Sequence, residues 1–519
     1  MPVAVALTVA VAVAVAVAMP VAVAVAEWTA RAVAGVMAMS VDPSTYDVAV
    51  VGAGPAGLSA AVGAAEAGLN VALIDAGRLP GGQYWRHDDE HPPHPGHRDG
   101  RLFARLRVRL HHQRRLGRLH YLPGHQVWLI DRPRPDTGPF TLRLNGPYDT
   151  APVERDRVRA RALVLCCGAH DRQLPLPGWD VPGVMAAGGV QALLKGHRTA
   201  AGRRAVVAGT GPFLLPVATG LAQAGVRVLA VCEANPAHGW LRHLGGAARV
   251  PAKSAEALRY AALMARHRIP YRTRAAVTEI LGEDRVRGVR LDGGEVLEAD
   301  LVALGWGFTP ALELPLMVGA DTRRDLDGSL VAVVDARQRT TVPDVLAAGE
   351  TTGVGGAALA VAEGRLAALT LAAAHGLPVD SRTARRLRTT IRHGRAFAAA
   401  LHSTYPVPAD WTGRLTERTV VCRCEEVTYG ELCRARGELG AEDPRTMKLL
   451  ARPGMGWCQG RICGFAVAAV TASLTGRPAT AEDLRPLSTR PFAAPVTLGE
   501  LAGMADGAEE PGAEADDEP

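Results

Sequence analysis

One pattern, present twice, limits the possible folds of this chain more than any other feature. An apolar run, Val48 to Val51, enters Gly52-Ala-Gly54-Pro55-Ala56-Gly57. A segment of helical character then runs from Leu58 to Gly68, and a second apolar run, Val71 to Ile74, ends at Asp75. The three glycines permit different things: Gly52 allows the tight turn, Gly54 lets backbone approach a pyrophosphate, and Gly57 allows helix and strand to touch. The helix N-terminus then faces the phosphates, and Asp75 can accept hydrogen bonds from an adenosine ribose. The same order of strand, glycine turn, helix and strand returns between Arg204 and Glu233. The expected fold class is therefore α/β, with two Rossmann-like dinucleotide-binding domains. With 519 residues, 48% of them hydrophobic, the chain has material for both and for further small domains.

The two repeats are not equal. The second reads Gly209-Thr-Gly211-Pro-Phe-Leu214, with Glu233 after its second strand, and Leu214 stands where a third glycine is expected. Close helix–strand approach is weakened there. Glu233 suits a free ribose 2′-hydroxyl and repels a 2′-phosphate, so a nucleotide bound here would be NAD rather than NADP. Whether this repeat binds any dinucleotide stays open, as does full FAD against another adenine nucleotide at the first, because such motifs contact the shared ADP half.

Two later segments favour FAD at the first repeat: Gly81-Gly82-Gln83-Tyr84, and Thr340 to Glu350, which closes on Gly349-Glu350. Through them the chain resembles the two-dinucleotide-domain, glutathione-reductase-like flavoproteins. That resemblance implies that Gly82 and Gln83 run beside the flavin and that Gly349 and Glu350 meet its ribityl chain, with Glu350 replacing the usual aspartate. The disulfide-reducing members of the class use a Cys-x-x-Cys pair, which this sequence lacks, so disulfide chemistry is not expected. Cys166-Cys167 reads as two small buried residues at a strand end, with a vicinal disulfide as the alternative.

A second chemistry is written in Cys422-Arg-Cys424, followed after thirty-three residues by Cys458 and Cys463. Two close pairs of thiolates can hold two irons from opposite sides, as a [2Fe–2S] cluster requires, and nearby Gly454, Gly456, Gly460 and Gly464 allow tight backbone with amides aimed at sulfur. From spacing alone a structural zinc site stays open. The stretch Val420 to Gly464 is similar to the bacterioferritin-associated-ferredoxin type of [2Fe–2S] domain, a small helical unit.

Joined to the flavoprotein body, that domain makes the chain resemble the A subunits of opine oxidases, the B subunits of hydrogen cyanide synthases, and the α subunits of hydroxyproline and proline dehydrogenases. The likeness runs from about Tyr46 to Ala502 and includes Gly178-Trp-Asp-Val-Pro-Gly-Val-Met185. It implies a FAD and [2Fe–2S] electron-transfer subunit of a heteromeric dehydrogenase that oxidises a C–N bond of an amino acid, opine or related amine. The implied partners are a FAD-containing catalytic subunit of the amine-oxidising type, together with a small ferredoxin-like subunit. No Ser-His-Asp set or paired catalytic carboxylates are recognisable, consistent with a substrate site in the partner. Two rivals remain: a self-sufficient NADH-dependent reductase using the second repeat, and a non-catalytic iron–sulfur sensor or assembly module.

The expected domains are a Val-Ala extension over 1–44, a discontinuous FAD domain over 45–170 and 301–380, a second, NAD-like domain over 171–300, a basic helical linker over 381–418, the cluster domain over 419–490 and a tail over 491–519. The alternating Val-Ala run has no preceding Lys or Arg, and Pro20 interrupts it, so it reads as an extension outside the fold, with Met37 or Met39 as the true start and a membrane anchor as the alternative. The net charge of +6 rests on arginine, the lysines being only Lys195, Lys253 and Lys448, and nucleic-acid binding is not expected. Eight cysteines are too few for a disulfide scaffold, and a reducing cytoplasm is the natural compartment. His87, His91, His94 and His97 read as a solvated loop rather than a metal site, and His111 and His112 as surface residues of an Arg-rich helix.

Overall fold

A computed structural model describes residues 45–88, 99–132, 138–146, 156–236, 238–240 and 250–502. The Val-Ala run, His91, His94, His97 and the acidic tail from Asp506 lie outside the described residues. Among the described residues, Tyr46 onward forms one compact unit.

The first sheet is built on Thr45–Val51, parallel to Val71–Asp75, which pairs in turn with Leu119–Pro123 at the edge. On the other side lies the long strand Arg157–Leu165. Its beginning pairs antiparallel with Phe140–Asn145, and its last residues pair parallel with Val345–Ala347. The chain thus leaves this sheet and returns to it after the whole second domain. What holds the returning segment is the contact between helices Pro55–Glu66 and Ala357–Ala374. A methyl on Gly364 would collide with the Ala56 carbonyl, and Ala60, Ala64, Ala367 and Ala368 share the buried core beneath. Small residues on both helices allow that backbone approach. Among the described residues, Ala357–Ala374 alone is long and apolar enough to cross a membrane, and here it is a largely buried core helix.

The second sheet is wholly parallel, in the order Tyr271–Thr273, Arg227–Glu233, Arg204–Gly209, Leu301–Gly305, Val184–Ala186. Leu301–Gly305, assigned from sequence to the FAD domain, belongs to this sheet. It is apolar and buried throughout because both its neighbours are second-domain strands, so the crossover comes after Gly305.

The C-terminal residues form a small hairpin, Val420–Cys422 with Val427–Thr428, and the helices Tyr429–Gly437, Pro444–Ala451, Gly464–Leu474 and Ala481–Ser488. Thr428 and Thr480 start their helices with capping boxes completed by Glu431 and Asp483. This domain shares a core with each nucleotide domain: Val421, Leu432 and Met447 with Trp179 and Val206, and Leu484 and Leu487 with Leu312 and Leu330. Trp179 Nε1 donates to the Val420 carbonyl at 2.6 Å, and the Arg423 guanidinium lies 4.3 Å from the Trp179 ring centre.

Arg172 joins the same three bodies. It is buried, donates to Asp327 Oδ2 at 2.7 Å and to the Phe308 carbonyl at 3.0 Å, and carries the Phe465 ring of the cluster domain at 4.2 Å. Arg172→Met leaves Asp327 without its counter-charge and is expected to destabilise the protein by about 3–5 kcal/mol, read by urea unfolding.

Two sequence expectations are corrected here. His87 is buried rather than solvated: its Nδ1 lies 2.9 Å from the Trp85 carbonyl and its ring meets Phe103 edge-on, because Trp85 and Phe103 stack and draw this stretch onto the helix Gly100–Arg115. His111 and His112 are exposed, as expected. The 381–418 segment is also more than a linker. It forms the helix Ser381–Thr404, capped by Asp380, which packs Gly394 against Leu359 and delivers Arg395 to the first domain.

Candidate functional site

The first glycine turn has the geometry its sequence calls for. Gly52 adopts φ +100° and donates to the Ile74 carbonyl at 2.7 Å; Pro55 opens the helix directly after Gly54. A methyl on Gly57 would collide with the Gly52 carbonyl oxygen, whereas no protein atom lies within 4 Å of the corresponding point on Gly54. The space a pyrophosphate needs is therefore open. Asp75 accepts from Ala53 N and, at 2.6 Å, from Gly77 N; burial pushes its carboxyl up and those two amides pull it back. Beside it the Tyr121 hydroxyl is buried without a partner, its phenol raised by burial and then by Asp75. A cavity of about 600 Å³ opens there, lined by Tyr121, His111, Arg114, His120 and His125. Open backbone, a ribose-facing acid and an unsatisfied phenol fit the adenosine half of FAD.

Gly82 packs on Gly54 and borders the same turn. Gln83 is exposed and accepts from Arg86 Nη2 at 2.6 Å. Gly349, at φ +80°, rests on Ala56 and donates its N–H to Glu363 Oε2 at 2.9 Å. Glu350 follows on a 3-10 turn and faces Glu363, Asp171 and Arg395. Burial pushes its carboxyl up to about 7; Arg395 opposes this, and Glu363 and Asp171 add to it. Arg395 Nη2 lies 2.6 Å from Glu363 Oε1, while Nη1 donates to the Gly353 carbonyl at 2.7 Å. Sequence reasoning missed Asp171, Glu363 and Arg395. Glu363 did carry a signal, being the one acid in an alanine-rich apolar helix, where an unpaired carboxylate would be costly. Arg395 carried none among the many arginines of its helix.

These carboxyls set a pH dependence. The folded-state pKa of Glu350 lies above its ordinary 4.5, so the native state binds the extra proton and the stabilisation, complete below 4.5, is lost as pH rises through about 7. Flavin-free protein is expected to lose roughly 2 kcal/mol over that window from this group, and Glu350→Gln to flatten the profile, as measured by urea unfolding across pH.

The four cysteines converge in the C-terminal domain. Cys422 and Cys463 are buried, Cys458 is half-buried and Cys424 exposed. Electrostatically Cys422 interacts most strongly with Cys463, and Cys424 with Cys458. The Cys463 thiol, seconded by the amides of Gly454, Glu425 and Cys424 against burial, draws Cys422 down to about 5. Gly454 N donates to Cys422 Sγ at 3.4 Å; Cys463 stands at the N-cap position of Gly464–Leu474, and Cys422, burial and the neighbouring thiols hold its own thiol well above the usual range. Among the described residues no three of these sulfurs lie within 4.8 Å of one another; only Asp325, Asp327 and His402 gather that closely, and both those acids are already paired with arginine.

One short strand lies between the two centres. Ala169–Asp171 pairs with Phe308–Pro310. Alternation sends adjacent side chains to opposite faces. Asp171 accepts from Gly188 N at 3.0 Å and faces Glu350, while His170, depressed by burial, faces Glu313, Arg461 and Arg490. Arg490 in turn donates to Gln459 Oε1 at 2.9 Å, beside Cys458.

The second turn is different. Gly209 and Gly211 keep left-handed conformations, but the helix begins only at Leu214, and Glu233 is fully buried. Cys166 and Cys167 are free thiols.

Fold and first site together define an FAD-dependent oxidoreductase. The chain belongs to the pyridine nucleotide-disulphide oxidoreductase family, whose model matches residues 46–376. It is 32% identical to the opine oxidase A subunit of Rhizobium meliloti strain 1021, with 89% of this chain and 100% of that protein covered. It is 29% identical to hydrogen cyanide synthase subunit HcnB of Pseudomonas aeruginosa, with 80% of this chain and 90% of that one covered. In structure it resembles L-proline dehydrogenase from P. horikoshii, at TM-score 0.66 and 18% identity over 88% of this chain and 79% of that one. Both of these sequence relatives are named as subunits of their enzymes.

Proposed function

We propose that this chain is the electron-carrying subunit of a heteromeric, cytoplasmic dehydrogenase that oxidises a C–N bond of an amino acid, opine or related amine, and that it holds FAD and a [2Fe–2S] cluster. The observation that carries this reading is the strand Ala169–Asp171, whose neighbouring side chains face the flavin-side acids and the cysteine side. A single strand shared by two cofactor sites suits transfer between them. When bound, a flavin takes electrons as a pair and releases them singly to a one-electron cluster.

Gly54, Asp75 and Tyr121 would hold the adenosine end, and Gly349 and Glu350 the ribityl side. Arg395 neutralises part of the charge on Glu350 and Glu363 there. Cys422, Cys424, Cys458 and Cys463 would ligate the cluster. That no three of these sulfurs lie within 4.8 Å supports two irons over zinc, whose tetrahedral sulfur ligands, about 2.3 Å from the metal, lie about 3.8 Å from one another. Substrate would be oxidised in an FAD-containing partner subunit, with a small ferredoxin-like subunit completing the assembly.

The test is an absorption and EPR spectrum of anaerobically purified protein, oxidised and dithionite-reduced, with flavin, iron and zinc quantified. Flavin bands, about two irons per chain and a reduced S = 1/2 signal are expected. Zinc in place of iron, or no flavin, would end this reading.

A further inference from the structure

The second nucleotide motif is covered by the chain's own backbone. Glu233 has both carboxylate oxygens engaged: Oε2 accepts from Gly211 N at 2.7 Å, and Oε1 accepts from Asn235 N at 2.9 Å and Asn235 Nδ2 at 3.2 Å. Asp75 makes similar backbone bonds in the first repeat yet keeps some exposure, so the bonds alone are the ordinary arrangement of such an acid. The difference lies in what sits on top. Residues 404–406, at the end of the long helix, lie over the second turn. Asn235 Nδ2 donates to the Pro406 carbonyl at 3.0 Å and to Thr210 Oγ1 at 2.6 Å. Tyr405 Cβ stands 3.9 Å from where a side chain on Gly211 would begin, the point that is empty above Gly54. The Tyr405 hydroxyl accepts from Trp240 Nε1 at 3.0 Å, while Thr404 packs on Gly239.

The helix beneath is displaced as well. In the first repeat Pro55 begins the helix immediately after Gly54; in the second, Leu214 needs room against Gly305 and the helix starts three residues after Gly211. Its N-terminal amides, which would receive a pyrophosphate, are set back from the glycines.

We infer that the second motif is a socket for the chain's own Thr404–Pro406 segment and takes no pyridine nucleotide. Its acid, its polar side chain and the space over its glycine serve to hold the end of the helix that presents Arg395 to Glu363. Electrons therefore do not enter from NADH at this turn. The electron-transfer reading gives this its functional meaning, but the occupied socket does not depend on it.

The test is hydrogen–deuterium exchange of the full chain with and without millimolar NADH. Exchange of peptides covering Gly209–Leu214 and His402–Trp411 is expected to be the same in both. Added protection at the second turn with release of 402–411 would overturn the inference. Asn235→Ala, which removes the bond to Pro406, is expected to raise exchange over 402–411 about tenfold while Val48–Val51 stays protected; unchanged exchange there would also overturn it. Should that variant lose the protection of Val48–Val51, Trp240→Phe, which removes the bond to the Tyr405 hydroxyl and trims the ring contacts with Tyr405 and Phe397, gives the same reading. Because exchange is read at the second turn itself, missing flavin or iron would end the electron-transfer reading while leaving this result legible.

Discussion

Cys463→Ser is expected to strip the protein of iron, from about two atoms per chain to almost none, and to abolish the reduced EPR signal. The residue is buried, faces Cys422 and stands at the N-cap position of Gly464–Leu474, which fixes where its sulfur can reach. Serine keeps the size, but its hydroxyl is a poor iron ligand. Flavin should remain, since the first glycine turn is held by a different sheet and core. Cys433→Ser is the control: that thiol lies on the helix Tyr429–Gly437, with Tyr429 as its electrostatic neighbour, and its loss should leave iron content unchanged. Iron quantification with EPR decides the matter. Full iron in Cys463→Ser, or equal loss in Cys433→Ser, would show that these four residues are not the ligands.

Gly57→Ala and Gly54→Ala should fail in different ways although they change the same turn. At Gly57 the new methyl meets the Gly52 carbonyl oxygen, which is backbone and cannot swing aside, so helix and strand must separate. Such overpacking costs about 1–3 kcal/mol or more, and the turn that receives the pyrophosphate is lost with it. At Gly54 the methyl meets no protein atom, so stability should change little while FAD retention falls at least about tenfold, the space being that of the phosphates. Urea unfolding and flavin content of both variants read the two effects. A Gly54→Ala protein that keeps its full flavin would show that the dinucleotide does not lie over this turn.

Much of the site was legible because local spacing specifies it. A glycine turn between an apolar strand and a helix can be recognised wherever it occurs, and Gly52, Gly54, Gly57 and Asp75 stand together as expected. The gathering of four cysteines was legible for the same reason, but not which of them face each other: Cys422 lies towards Cys463 and Cys424 towards Cys458, across the fold rather than within each close pair. Gln83 was legible only as a position: its side chain turns to Arg86 and solvent, a choice made by a neighbouring guanidinium rather than by the motif.

The amino-acid sequence by itself determined the two nucleotide folds, the flavin turn and the four thiols, because each depends on residues close along the chain whose sterics or ligand chemistry admit few alternatives. Tertiary structure alone decided that the strand Leu301–Gly305 joins the second sheet, that Arg395 meets Glu363, that His170 and Asp171 face two centres from one strand, and that Tyr405 and Pro406 cover the second turn. Those outcomes join residues far apart in sequence. Many arginines and tyrosines could have filled each role, and only the packing of helices and sheets against one another selects which of them arrives.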